Sequence, residues 1–493
     1  MAWLRPSVMV TVMVTVVVVV TALVGAVPVA LLAVATAWLL SNRSDIEPRV
    51  RPAVLQLAAP TLPDERNAFF ALTGLSAEAG RDPAAVGRAL WQVNLARAAM
   101  PQRERLETKG YEELNRQDAA ATGTRLPTVS GAPLYCKDAA AGCVAEWLAD
   151  PVALAAQRAQ MAVWGARCDS LFTPDRDTGF EERLPLTLHP AAHLAAHVSG
   201  AMLCGLWWRS GAVLAWQQGQ PQQARALLQR ATDMNQRLLA GGQSLISYVV
   251  TASIIRDTQS TVSALGLRDA AWAATSAQLL AAVPDAALVA ATRRWMAVEA
   301  AVGRHALAEA FDCADPAASG LDQLLGRLVA RLSDWQCRHR IGFQKERTLV
   351  LADDFWADAA HALDGGIPAG VKHLQMRQQQ ADSTGLRWRN TLGHILIDMA
   401  LRAHSTYLRQ AADLPLHTEA AALALAAAAQ RVPAAERAAW AQRQPLSADL
   451  RERLQWDASG QGFTVRTWYQ DGQNTPTEPR KAIRFVWPDS PRG

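Results

Sequence analysis

From Pro6 to Ser41 the chain has no charged residue, no His, no Asn and no Gln. Further along it has no C-x-x-C, which removes the usual basis for a zinc ribbon or a thioredoxin-type redox centre. It has no H-E-x-x-H, no P-loop and no dinucleotide fingerprint. Gly242-Gln243-Ser244 begins like a nucleophile elbow, but Ile246 stands where the second glycine belongs, and no strand pattern precedes it. Lysine is scarce, 5 against 44 arginines, and no long block of one sign of charge occurs. A nucleic-acid protein would carry a basic stripe. The nearest approach, Arg338-His339-Arg340 with Lys345 and Arg347, reads as a solvated helix end, so no nucleic-acid partner is expected.

What fills the uncharged stretch is Val, Ala, Leu and Met. A helix needs roughly 20 apolar residues to cross a bilayer core about 30 Å thick. Val8–Leu40 would run to about 50 Å as a straight helix, so tilt or a kink at Gly25 and Pro28 is expected. The alternative is a cleaved signal peptide, with Arg5 as its positive flank and Ala33-Val34-Ala35 or Ala35-Thr36-Ala37 as the cleavage site. A signal's apolar region spans only about 7–15 residues, which favours an uncleaved anchor. Counts of flanking arginine do not orient it, and long domains translocate largely regardless of charge. The expected arrangement puts the N-terminus inside and everything after Ser41 outside: a single-pass inner-membrane protein with a periplasmic domain.

The six cysteines, Cys136, Cys143, Cys168, Cys204, Cys313 and Cys337, support that orientation. An even number suits an oxidising compartment. Sequence does not choose among the pairings. Cys136 and Cys143 bracket a short loop containing Gly and Ala and form the expected disulfide, whereas Cys204, in an apolar helical run, also fits a buried free thiol.

Beyond residues 1–41, the anchor, residues 42–63 are punctuated by proline and read as a stalk. Residues 64–445 carry helical periodicity. Asp82-Pro83 and Asp150-Pro151 are helix starts, Asp as N-cap and Pro preorganised for the first turn; their helices run to about Met100 and Cys168. Residues 118–142 read as loop. Longer helices follow over Ala191–Gln217, Gln222–Leu239 and Ser244–Leu265, the last a core helix because its apolar stretch stops at Arg256. Further helices are expected at Asp269–Ala282, Asp285–Phe311, Leu321–Arg340, Asp354–Leu363, Val371–Gln380, Leu392–Ala412, Glu419–Val432 and Ala434–Arg443. Leu206–Gln217 with Pro221–Leu239 resembles one tetratricopeptide hairpin, but no 34-residue period extends it into an array. In residues 446–493, alternation at Phe463–Thr467 and Ile483–Trp487, with a turn at Asp471-Gly472, predicts a β-hairpin. The fold class is mainly α: an N-terminal transmembrane helix, a helical array that is solenoid-like or an irregular bundle, and a small C-terminal β-hairpin.

For chemistry, His189, His193 and His197 recur at i, i+4, i+8 and drift only about 80° around a helix. Cys204 falls on the same stripe, with Glu181 and Glu182 upstream. Imidazoles at i, i+4 and a thiolate suit a divalent metal. Structural histidines packed against a neighbouring helix are the competing reading. Asp354, Asp358 and His361 share one helix face, but Asp353 and Asp354 also stand where acids favour a helix N-terminus. Trp207-Trp208 could form an aromatic platform or fill a core. No catalytic motif emerges and no cofactor is expected outside that metal. The function expected is a protein-binding or scaffolding module of the cell envelope, with a protein as its partner and the membrane as its support. An envelope hydrolase or metal protein using the histidine cluster is the alternative.

Overall fold

In the computed structural model, residues 59–99, 143–172, 178–184, 196–280, 283–309, 344–383, 390–471 and 482–487 are described, with a few positions between 34 and 57 and between 113 and 134. The anchor segment 8–40 lies almost wholly outside the described residues; Val34, Thr36 and Ala37 are helical and exposed. Among the described residues no single helix is long and apolar enough to cross a membrane. The protein is mainly helical with one three-stranded antiparallel sheet. It divides into two compact units, residues 1–52, 306–355 and 378–401, and residues 53–305, 356–377 and 402–493.

The helices are α1 (Ala68–Thr73), α2 (Pro83–Ala99), α3 (Cys143–Ala149), α4 (Pro151–Gln160), α5 (Ala162–Leu171), α6 (Ala196–Gln217), α7 (Pro221–Gly241), α8 (Leu245–Gly266), α9 (Ala270–Ser276), α10 (Asp285–Glu309), α11 (Lys345–Ala362), α12 (Ile367–Ser383), α13 (Thr391–Ala429), α14 (Arg437–Gln442), α15 (Ala448–Arg453) and α16 (Trp468–Asp471). The strands are β1 (Leu454–Trp456), β2 (Gly462–Val465) and β3 (Ile483–Val486).

In the larger unit α6 is the hub. It packs against α1, α3, α4, α5, α7 and α8. Most of its residues are buried, including Leu203, Trp208, Ala212 and Val213. A helix surrounded on all sides has no need of a polar face. Small residues let its neighbours close in: a Cβ on Gly200 would stand 2.3 Å from the Leu72 carbonyl oxygen of α1. The hairpin of α6 and α7 forms as expected, turning at Gly219 with φ 72°. The Trp pair divides between roles. Trp208 is fully buried, Trp207 lies under the Arg158 guanidinium at 3.7 Å, and both indole N–H groups donate to Asp169.

Local starts fall where the capping residues put them. Asp82 accepts from Ala84 and Ala85, Asp150 from Ala153, Ser244 from Ser247, and Asp269 from Ala271 and Trp272. Several expectations need correction. The helix after Asp150 breaks at Met161 into α4 and α5. Residues 119–122, expected as loop, are helical and end at Gly123. Two helices expected on either side of Pro415 are one, α13. An interior proline costs about 3 kcal/mol, and burial of Ala411, Ala412, Leu414, Leu416, Ala420 and Ala421 around it offsets that. Helix α11 begins nine residues before Asp354, so the two acids are not at its start. In the smaller unit Asn390, at φ 55°, accepts from the Gln344 N–H with its side chain and from the His394 N–H with its backbone. One residue thus caps both α11 and α13.

The C-terminal hairpin is a sheet of order β1-β2-β3, with Trp456 opposite Phe463 and Phe463 opposite Phe485. The missed strand, β1, is three residues long, too short for its Leu-Gln-Trp alternation to signal a strand. Asp471 ends α16, and Gly472, the second residue of the expected turn, lies outside the described residues.

The disulfide expectation changes too. Cys168 on α5 is bonded to Cys204 on α6, both fully buried. Cys204 is therefore neither a free thiol nor a thiolate ligand. Cys143 is also disulfide-bonded; Cys136 lies outside the described residues, so the expected Cys136–Cys143 bridge is not addressed. Closing a loop of this size stabilises by about 3–4 kcal/mol. Non-reducing mass mapping is expected to recover a Cys168–Cys204 peptide pair, and Cys168→Ser with Cys204→Ser to lower the free energy of unfolding by about that amount. Recovery of both thiols by alkylation of native protein would contradict the assignment.

Candidate functional site

Two groups of polar side chains stand out in the larger unit. The first is a clasp built on the extended segment 178–184. Asn67, buried at the start of α1, accepts the Glu181 N–H at 3.0 Å and donates to the Glu181 carbonyl at 2.7 Å. The Glu181 carboxylate accepts from the N–H groups of Thr61 and Leu62, tying down the end of the expected stalk. Glu182 points the other way. Its Oε2 accepts the N–H groups of Gln243 and Ser244, both at 2.7 Å, at the start of α8. Its Oε1 accepts from Ser244 Oγ at 2.6 Å and faces His197 Nε2 at 3.3 Å. His197 Nε2 also lies 2.7 Å from Ser247 Oγ, with the rings of Phe69 and Phe180 beside the imidazole.

All four residues are buried. Burial alone would push the Glu182 carboxyl up; the hydrogen bond and charge of His197 and the bonds from Ser244 outweigh it and hold the group down at about 2. The set contains Ser, His and Glu, yet it is no catalytic triad. One nitrogen faces both Ser247 and Glu182, whereas a triad uses opposite nitrogens for nucleophile and carboxylate. His197 is a core residue with protein partners, while His189 and His193 lie outside the described residues. Among the described residues no group of three His, Cys, Asp or Glu side chains could hold a metal ion. Of the second set, Asp358 pairs with His373 at 2.8 Å and Arg377 at 3.2 Å, and exposed His361 pairs with Asp364.

The second group lines an open cleft of about 880 Å³. Its walls come from α3, α6, α8, α13, the start of α16 and β3, with Met202, Leu206 and Ile254 among its apolar lining and Arg209, Arg256, Arg268 and Arg484 among its charges. Asp413 and His417 project from α13 at i, i+4. Asp413 accepts from the N–H of Trp468 at 2.6 Å and of Tyr469 at 3.3 Å, which holds the start of α16. Burial pushes its carboxyl up to about 7, against those bonds and the charges of Arg256 and Arg453. Burial, with Arg256 nearby, pushes the His417 imidazole down to about 3.

His417 Nδ1 contacts Gln259 Oε1 at 2.9 Å, and Nε2 lies 3.3 Å from Ser260 Oγ, which is exposed. The order nucleophile, base, orienting amide is present. An imidazole whose conjugate acid forms only near pH 3 is a weak base for a serine proton, however, since an effective general base sits near the working pH. The arrangement holds the cleft wall.

No family model matches the chain, and no curated protein and no solved structure is detectably similar to it.

Two outcomes follow. Glu182→Gln leaves His197 without its carboxylate, and breaking a buried pair costs about 3–5 kcal/mol, measurable by urea unfolding at neutral pH. The folded value of Glu182 lies below its ordinary 4.5, so its contribution is present above that value and fades as pH falls toward about 2; the variant is expected to lose that dependence. An unchanged unfolding midpoint would show that the clasp holds without the charge. In the cleft, the folded chain keeps a proton on Asp413 between about 3.8 and about 7 that the unfolded chain has lost, so this group's contribution falls as pH rises. The unfolded chain keeps a proton on His417 between about 3 and 6.5 that the folded chain has lost, so this contribution rises. The slopes oppose each other. Asp413→Asn is expected to unmask a rise and His417→Gln a fall, each at most about 1.4 kcal/mol per pH unit, in unfolding measured between about pH 4.5 and pH 6. Slopes of the same sign in both variants would refute the assignment.

Proposed function

We propose that the chain is a membrane-anchored, extracytoplasmic protein-binding module of the cell envelope, with residues 8–40 as its anchor and the α6–α8–α13–β3 cleft as its docking site. The cleft carries the reading. It is open, roomy and lined by apolar side chains and arginines. Arg256 is half-buried there and pairs with no carboxylate among the described residues. Arginine flanking an apolar surface is the composition of protein interfaces. Support for the location is separate: an uncharged stretch of membrane-spanning length at Pro6–Ser41, and a buried disulfide of the kind that persists in oxidising compartments. The metal reading draws no comparable support, because His197 is engaged by Glu182 and Ser247 and Cys204 by Cys168.

The test is photocrosslinking in intact cells from a reactive side chain introduced at Ser260, in the cleft, with Met376, exposed but outside it, as control. Discrete adducts to another protein are expected from Ser260 and none from Met376. Protease added to spheroplasts is expected to degrade both adduct and free chain. No adduct, or equal adducts from both positions, would remove the binding reading; protection from protease would reverse the orientation.

A further inference from the structure

The cleft contains a feature that specifies what it binds. β3 is an outer strand: β2 pairs with one edge, and among the described residues no strand pairs with the other. The register identifies which backbone groups face outward. The Trp487 N–H donates to the Gln461 carbonyl, and the Asp457 N–H donates to the Gly462 carbonyl. Opposed residues in an antiparallel ladder alternate between exchanging both hydrogen bonds and exchanging none. Gly462 turns its groups toward β1, so its partner Val486 directs its N–H and C=O away from β2, and Arg484, two residues earlier, does the same. Among the described residues these four groups have no partner. Residues 482–486 all line the cleft. Side chains alternate between faces, Ile483 and Phe485 buried and Arg484 and Val486 exposed, so a strand lining a cleft with every residue presents its edge.

Charge selects the chain that would fit. Of the arginines lining the cleft, Arg209 is taken up by Asp257 at 3.3 Å. Arg256 has no ion pair among the described residues, Arg268 donates to the Ala264 carbonyl, and Arg484 reaches Asp457 only at 4.0 Å. The other acid in the cleft, Asp413, is turned onto the Trp468 and Tyr469 amides. The free charge lining the cleft is therefore positive.

Resting on the binding reading above, we infer that the cleft takes an extended, acidic segment of a partner protein by strand addition to the outer edge of β3. Backbone amides of the segment pair with Arg484 and Val486, its carboxylates meet Arg256, Arg268 and Arg484, and its alternate apolar side chains meet Met202, Leu206 and Ile254. A peptide is singled out because the edge offers donors and acceptors at strand spacing, which a lipid headgroup or a phosphate backbone does not match. Basic segments are refused by like charge.

The test uses the full chain in detergent as bait for displayed libraries of short random peptides, followed by synthetic versions of the enriched sequence. Enrichment of acidic peptides with apolar residues at every second position is expected. N-methylation of alternate amides is expected to weaken binding roughly tenfold or more for one set and little for the other. Arg256→Gln is expected to weaken it roughly tenfold and to flatten its dependence on salt. Val486→Pro removes an outward N–H without touching the β2–β3 ladder, a position where strands tolerate proline, and is expected to abolish binding. Should that variant fold poorly, the N-methyl pair decides the matter on the native chain. No enrichment, neutral or basic consensus sequences, or equal effects from both N-methyl sets would overturn the inference. If Ser260 adducts still form under any of those results, the cleft binds protein by another mode and only strand addition is lost.

Discussion

The Glu182 carboxylate is the point on which the larger unit closes. It has no contact with water, and a bare charge in that position would be ruinous. Two amides at the start of α8, a serine hydroxyl and His197 compensate it. Each partner belongs to a different requirement of the fold. The amides are the unsatisfied donors that every helix start carries, and the helix dipole favours an anion there. His197 stands on α6, which six other helices of the unit touch. A single side chain thus fixes the angle at which α8 leaves α7 and the depth at which segment 178–184 lies against α6. Its neighbour Glu181 carries the same segment outward to residues 61 and 62. Consecutive acids facing opposite ways, as side chains of an extended strand must, join the start of the domain to its middle.

That geometry bears on what was legible in the residues. Helix starts at Asp82, Asp150, Ser244 and Asp269 are written locally: a short polar side chain and the N–H groups two or three residues on are all that is needed. The turn at Gly219 is local in the same sense. What could not be read was decided across the fold. The helix that starts at Lys345 is held by Asn390, 46 residues away, which accepts the N–H of the preceding Gln344. Pro415 is carried inside α13 because its neighbours are buried. Cys204 pairs with Cys168 because α5 and α6 pack together.

The histidines show the difference most sharply. Spacing at i, i+4, i+8 placed His197 among ligands on its own helix, but its partners come from Glu182 and Ser247. The adjacent Glu181 and Glu182 were visible beside the cluster, and a buried imidazole has to find a partner; what spacing lacked was the fold of segment 178–184 over α6. The cleft had a signal of the same rank that was passed over. Asp413 and His417 stand at i, i+4 as His193 and His197 do, with Pro415 between them arguing against a continuous helix. Tertiary burial overrode that argument, and it pushes the Asp413 carboxyl up and the His417 imidazole down.

The perturbation has a structural meaning for the cleft. Desolvation drives Asp413 and His417 toward their neutral forms, in opposite directions on the pH scale. Both groups are engaged by hydrogen bonds rather than by ion pairs with the surrounding arginines, Asp413 with the amides of α16 and His417 with Gln259 and Ser260. What remains is Arg256, held next to both without an ion pair among the described residues. A guanidinium keeps its charge under any physiological condition, and leaving it unmatched in a half-buried position carries a cost in stability. A fold selected for stability alone would pair it, as Arg209 is paired with Asp257 less than one helical turn away. The contrast between those two arginines, one neutralised within the chain and one left facing the cleft beside an open strand edge, is the physical basis for placing the partner there.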